Sequence, residues 1–218
     1  MNDFILGYIS GSIQTIVGHP LDTIKVLLQQ NKLKIPIKFN KLYKGIVPPF
    51  FGNSIIVSTQ FGFNEKFYNY THNHFYSGFF SGIVSSFIAN PIELYKIRFQ
   101  NSLKNIYVNP YKGLISTTMR ESIGNSFYFG TYFYLYENKI FNSFISGGIA
   151  GWISWFMSYP IDVIKTRIQS NHSNNIFQAY KYGNLWKGFG VCSVRSFIVN
   201  GFGFYFYDLI KLYENKIS

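Results

Sequence analysis

One cysteine, Cys192, stands in 218 residues, so no internal disulfide holds this fold. Acids are scarce beside bases, 9 against 20, which leaves a net charge of +11, and charged residues make up only 13% of the chain. No block of like charges and no nucleic-acid motif accompanies the excess. Many cations sit inside or beside apolar segments, which points to lipid head groups or an anionic solute and away from nucleic acid. The four histidines do not cluster with Cys192. His72 and His74 read as a solvated turn rather than a metal site, and His19 as packing or cavity lining. The glycines fall at helix-packing spacing, not in a phosphate loop. Enzymatic, metal and cofactor chemistry therefore have no foothold. No cleavable presequence is expected, because the first apolar run begins by Phe4.

What the chain has in quantity is apolar and aromatic surface, 47% and 21% of residues. Six runs, near Phe4 to Val17, Ile46 to Phe63, Phe75 to Ala89, Tyr111 to Tyr136, Phe141 to Met157 and Phe189 to Ile210, approach the roughly 20 residues that cross a bilayer. A mean hydropathy of +0.05 is low for a membrane protein. Repetition outweighs it. The decapeptides PLDTIKVLLQ from Pro20, PIELYKIRFQ from Pro91 and PIDVIKTRIQ from Pro160 share a proline, an acid, a lysine and a glutamine at fixed offsets. Their starts lie 71 and 69 residues apart, so one unit is written three times.

Each decapeptide follows a glycine pair at spacing four: Gly7 and Gly11, Gly78 and Gly82, Gly147 and Gly151. Small residues so spaced let helix backbones approach where lipid supplies no hydrophobic drive. Each is followed by an aromatic-Lys-Gly step, Tyr43-Lys44-Gly45, Tyr111-Lys112-Gly113 or Trp186-Lys187-Gly188, that opens another apolar run. One unit is thus two helices. The expected fold is an all-α membrane protein of six transmembrane helices in three tandem repeats, 1–74, 75–142 and 143–218, forming one integral pseudo-three-fold bundle.

A charge at mid-membrane costs about 2.5 to 3.5 kcal/mol even on lenient scales, so acids and lysines ending three apolar helices must meet each other or a wet cavity. Under three-fold symmetry Asp22, Glu93 and Asp162 can each reach a neighbouring repeat's lysine among Lys25, Lys96 and Lys165. Such a ring closes one mouth of a central pathway. Gln29, Gln100 and Gln169, one turn further on the same face, are placed to brace it by donating to the carboxylates. Buried pairs are poor stabilisers beside apolar replacements, so repeating one three times suggests a switch rather than a clamp.

These decapeptides resemble the signature of the mitochondrial carrier family: proline, acid, base, second base and glutamine at the end of each odd helix. Repeats two and three match fully, with Arg98 and Arg167 as second base, and repeat one departs only at Leu27. The resemblance implies a six-helix barrel-like bundle in the mitochondrial inner membrane, termini towards the intermembrane space, and alternating access of a small solute to a central site by a monomer without cofactor. Proline to repeat glycine takes 25, 22 and 28 residues here. The family keeps a longer, amphipathic matrix-side helix in that interval, so these segments are shortened. Lys44, Lys112 and Lys187, at helix starts with free backbone amides, are candidate cardiolipin sites.

Family register then assigns the other sites. Glu65, Phe133 and Asp208 occupy the acid positions of the opposite, cytoplasmic gate, with Tyr68, Tyr136 and Lys211 as partners, so only repeat three carries the full motif. A state shut at the matrix side and open to the cytoplasm is expected. Gly52, Arg120 and Arg195 stand at the central register. Two arginines at one depth suit an anionic group, and the Arg120-Glu121 neighbours resemble the family's contact for an amino-acid-type zwitterion. Finer agreement with the carnitine/acylcarnitine branch adds Trp155, whose face suits a quaternary ammonium. The expected function is exchange of carnitine, acylcarnitine or an amino acid. Nucleotide exchange is the alternative, followed by a non-transporting scaffold or proton leak.

Overall fold

The computed structural model describes residues 3–29, 42, 43, 45–100, 109–173, 175–186 and 188–214, and their side chains except at 24–29, 99, 100 and 214. Seven helices form among the described residues: α1 (Asp3–Gln29), α2 (Val47–Thr71), α3 (His74–Gln100), α4 (Leu114–Glu137), α5 (Ser143–Gln169), the single-turn α6 (Ile176–Lys181) and α7 (Phe189–Glu214). The six long ones run 24 to 27 residues, about 36 to 40 Å at 1.5 Å per residue. Each packs on the next in chain order, and α7 closes the ring on α1. Pro20, Pro91 and Pro160 lie inside α1, α3 and α5. We call the end beyond them the proline end and the opposite one the termini end.

Close approach within each repeat depends on the glycine pairs. A Cβ on Gly7 would stand 2.9 Å from Ser58 Cα, one on Gly11 2.9 Å from Ser54 Cα, and one on Gly82 2.5 Å from both Glu121 O and Ser122 Cα. Gly78 faces the Asn125 backbone, Gly147 the Asn200 carbonyl and Gly151 the Asn200 side chain. Every odd helix is therefore seated on its own even helix at glycine. The aromatic-Lys-Gly steps share a second device: Gly45, Gly113 and Gly188 have φ of 83°, 79° and 88°, the left-handed conformation that turns the chain into α2, α4 and α7 at little cost to glycine.

The molecule is inside out. Its interior holds Ser81, Ser85, Asn90, Arg98, Glu121, Lys165 and Gln169, all at most 2% exposed, while Phe79, Phe87, Trp152, Phe156, Val191, Val194 and Leu212 face outward. Among the described residues no helix is long and apolar enough to cross a membrane by hydropathy. Composition explains this: each long helix divides its residues between an apolar outer face and a polar inner one, and averaging along the chain mixes the two.

The apolar core lies in the termini half. Leu6, Phe61, Phe129, Tyr132, Phe204 and Tyr207 are at most 3% exposed and come from α1, α2, α4 and α7. Tyr132 stacks on Phe204 at 3.4 Å, and Phe61 lies 4.7 Å from Tyr207. This plug reverses the expectation of a bundle open at the termini end. Buried aromatic rings contribute about 1.5 to 3 kcal/mol each, enough to close an end whose charged pairs are few.

Gly82→Val should lower stability by about 1 to 3 kcal/mol, because the backbone facing its new side chain cannot yield. That is roughly 3 to 10 °C in thermal unfolding. Gly190→Ala, with nothing within 4 Å of the added Cβ, should leave the midpoint within about 2 °C.

Candidate functional site

Arg120, from the first half of α4, is the hub. Its guanidinium is paired with Glu121, lies 3.5 Å from Asp162 and 3.8 Å from Glu93, and covers the Trp155 ring at 5.1 Å. Glu93 in turn binds Lys165 of the next repeat. On the other side of the bundle Arg195 donates to Asp22, 3.0 Å from Nη2 to Oδ2. Among the described residues one lysine-acid link thus forms at the proline end, and the other two acids are held by arginines from the central register. An arginine is long enough to span both layers, which positions along a helix do not reveal. Lys96 is exposed, and among the described residues it makes no ion pair. The Lys25 side chain lies outside the described ones.

Gln169 is fully buried but does not brace the Lys165–Glu93 pair. Its Nε2 donates to Asn90 Oδ1 at 3.0 Å and to Thr117 Oγ1 at 3.4 Å. Gln29 and Gln100 side chains lie outside the described ones. Asn90, missed by sequence reasoning, joins repeats two and three here: it also accepts from Thr117 at 2.6 Å and donates to Pro110 O at 2.7 Å. Its signal was the position just before a signature proline. Arg98 donates to Gln169 O, and Arg167 to Ala179 O and Gly183 O, so both second bases fasten proline-end backbone.

Within the ring a cavity of about 110 Å³ is lined by Arg120, Glu121 and Trp155 together with Gln14, Gln60, Asn125, Tyr128 and Asn200. Two of the expected contacts are elsewhere. Gly52 points at Ile92 Cγ2, 3.0 Å from where its Cβ would be, and Arg195 lies against Gly18 and Asp22. Glu121 is 2% exposed and accepts from Gln60 Nε2 at 3.0 Å as well as from Arg120. At the helix-start steps Lys112 donates to Asn171, while Lys44 and Lys187 lie outside the described residues.

The termini end differs from the expected gate. Lys211 lies 3.8 Å from Asp3, which also accepts from Tyr207 at 2.9 Å, so α7 closes on α1 through a residue not singled out in the sequence. Glu65 lies near Lys211 and Asp3. Asp208 accepts from Tyr132 and hydrogen-bonds Tyr136 and Ser143. Between repeats one and two the gate positions Tyr68 and Phe133 sandwich His74, with ring centroids 3.9 and 3.8 Å away. Far from being a solvated turn residue, His74 fills a place where neither neighbour supplies a charge, and its Nε2 lies 3.3 Å from Glu137.

A family model described as mitochondrial carrier protein matches residues 136–217. Over 274 aligned positions the chain is 31% identical to mitochondrial substrate carrier family protein L of Dictyostelium discoideum, covering 96% of this chain and 94% of that relative. The chain belongs to the mitochondrial carrier family. This carrier is also similar to the mitochondrial arginine transporter BAC2 of Arabidopsis thaliana, 27% identical over 95% of this chain and 89% of the relative. Against the mitochondrial glycine transporter YMC1 of Saccharomyces cerevisiae the identity is 29%, over 96% and 90%. As a carrier it is a multi-pass transporter of the mitochondrial inner membrane and not an enzyme. The apolar exterior and polar lumen are those of a helix ring with lipid outside and solute within.

His74 precedes the apolar run that starts at Phe75. Burial between the rings holds its imidazole below the ordinary 6.5, with Glu137 opposing the shift and Lys211 adding to it. The folded state thus disfavours the proton. Stability from this contact is full above pH 6.5 and declines as pH falls below it, until the imidazole protonates in place. Thermal unfolding of the carrier from pH 8 to pH 5 should show that decline, and His74→Phe, which keeps the stack, should flatten it.

Proposed function

We propose that this carrier exchanges an amino acid across the inner membrane by alternating access. The adjacent Arg120–Glu121 ion pair in the wall of the central chamber carries the reading. A zwitterion replaces that internal pair by two external ones, carboxylate to Arg120 and ammonium to Glu121, and leaves the charge of the site unchanged. The exchange is therefore nearly isoelectric, which a site of lower dielectric than water favours. Polyphosphate is disfavoured by Glu93, Glu121 and Asp162, all gathered round Arg120. Carnitine is disfavoured because the Trp155 face that suits its quaternary ammonium is already covered by the guanidinium. The arginine and glycine transporters among the relatives support the same class.

In this reading the three repeats, 1–74, 75–142 and 143–218, rock about the central site. Asp22, Glu93 and Asp162 with Lys25, Lys96 and Lys165 form the latch at the proline end, which faces the matrix, and Glu65, Asp208 and Lys211 act at the termini end. The acids alternate between those lysines and the arginines that hold them in this state. Gln29, Gln100 and Gln169 bind the proline end together. The carrier works as a monomer, with cardiolipin at the helix-start lysines, of which Lys112 is described.

Uptake of radiolabelled amino acids into proteoliposomes, measured beside carnitine and ADP, tests the proposal. Glu121→Gln keeps the shape and removes the charge. It should cut amino-acid uptake by the folded carrier at least about tenfold, a charged hydrogen bond being worth roughly 1.5 to 3 kcal/mol. Undiminished uptake would refute the assignment.

A further inference from the structure

The wall of the chamber beyond Arg120 and Glu121 carries four primary amides, one from each of four helices: Gln14 of α1, Gln60 of α2, Asn125 of α4 and Asn200 of α7. Three of these spend their NH2 groups on the protein. Gln14 Nε2 donates to Tyr128 Oη at 3.3 Å, Gln60 Nε2 to Glu121 Oε2 at 3.0 Å and Asn200 Nδ2 to Ser196 O at 2.8 Å. Two of those acceptors are a carboxylate and a backbone carbonyl, which only an N–H can face, so the orientations of Gln60 and Asn200 are fixed by their neighbours. Among the described residues the side-chain oxygens of Gln14, Gln60 and Asn200 accept no hydrogen bond. Asn125 is 6% exposed, and its Nδ2 has no partner. Nothing donated by that amide fixes it, and a half turn brings its oxygen to where the nitrogen stood.

An oxygen-rich wall calls for a group rich in donors. We propose that Gln14, Gln60, Asn125 and Asn200 form a distal subsite for the guanidinium or ammonium end of a basic amino acid. This rests on the reading of Arg120 and Glu121 as the contacts for the solute's own carboxylate and amine. A guanidinium offers five N–H groups and an ammonium three, whereas an aliphatic side chain or a trimethylammonium offers none and would cover these oxygens without pairing them. Charge agrees with the donor count: three carboxylates, Glu93, Glu121 and Asp162, surround Arg120, with Lys165 as the other paired cation. Size agrees as well, since about 110 Å³ accommodates an end group rather than a whole solute. Tyr128 belongs both to this wall and to the aromatic plug, so a side chain seated here abuts the closed end.

The test is a substrate panel with the full-length carrier in liposomes: arginine and lysine against citrulline, norleucine and glycine. Arginine and lysine should exceed norleucine in kcat/KM by about tenfold or more, because a site built to pair donors rejects a solute without them. Asn200→Leu and Gln14→Met, close in volume and without the amide, should each lower the ratio of arginine to glycine kcat/KM by about tenfold. Norleucine or glycine preferred over arginine by the wild type overturns the subsite, whether or not the variants fold, and leaves the amino-acid reading in place. An unchanged ratio in both folded variants does the same. Failure to move any amino acid overturns both.

Discussion

Contact between helix backbones at glycine is the constraint on which the rest of this carrier depends. Because no Cβ stands between α3 and α4 at Gly82, the turn bearing Glu121 lies directly against α3; Gly78 does the same for Asn125, and Gly151 for Asn200. Packing and site are thus one arrangement. Glu121, Asn125 and Asn200, which face the chamber from α4 and α7, each meet an odd-helix glycine. In repeat one, Gly11 meets Val57, which also lines the chamber, so the same relation holds where the side chain is apolar.

Charge is organised on that scaffold as a shared network rather than as separate layers. Glu93 serves Lys165 and lies near Arg120, Asp162 lies near Arg120, and Asp22 holds Arg195. Buried or half-buried ion pairs gain little net energy over apolar packing, but removing one partner leaves an expensive orphan. Under the proposed function, a solute that takes Arg120 releases carboxylates that need new partners, and occupancy is thereby coupled to the proline end.

Much of this was legible in the chain because it is written three times. The prolines inside α1, α3 and α5, the glycine pairs and the left-handed glycines opening α2, α4 and α7 all follow from repeated spacing, and repetition averages out the ambiguity of any single segment. What escaped was single or non-local. Asp3 and His74 have no counterparts in the other repeats, so no pattern marks them. Asn90 is marked by position but not by type, since the other two repeats hold His19 and Tyr159 there. Arg120 and Arg195 were placed on the correct helices, but the reach of a long side chain decided their partners. The closed termini end was hidden because aromatic residues are abundant everywhere in this sequence, and only the folded ring separates those that meet from those that face lipid.

The residue before each signature proline leans on the turn that opens its own even helix, by a different chemistry each time. His19 stacks with Tyr43 at 6.2 Å, Asn90 donates to Pro110 O, and Tyr159 stacks with Trp186 at 6.1 Å, its hydroxyl lying 3.2 Å from where a Gly188 Cβ would be. Each proline-bearing helix is in this way pinned to its mate at a second point, beyond the glycine pairs. Two fasteners per hairpin forbid scissoring within a repeat, so whatever displacement admits a solute has to be taken up along the seams where α2 meets α3, α4 meets α5 and α7 meets α1.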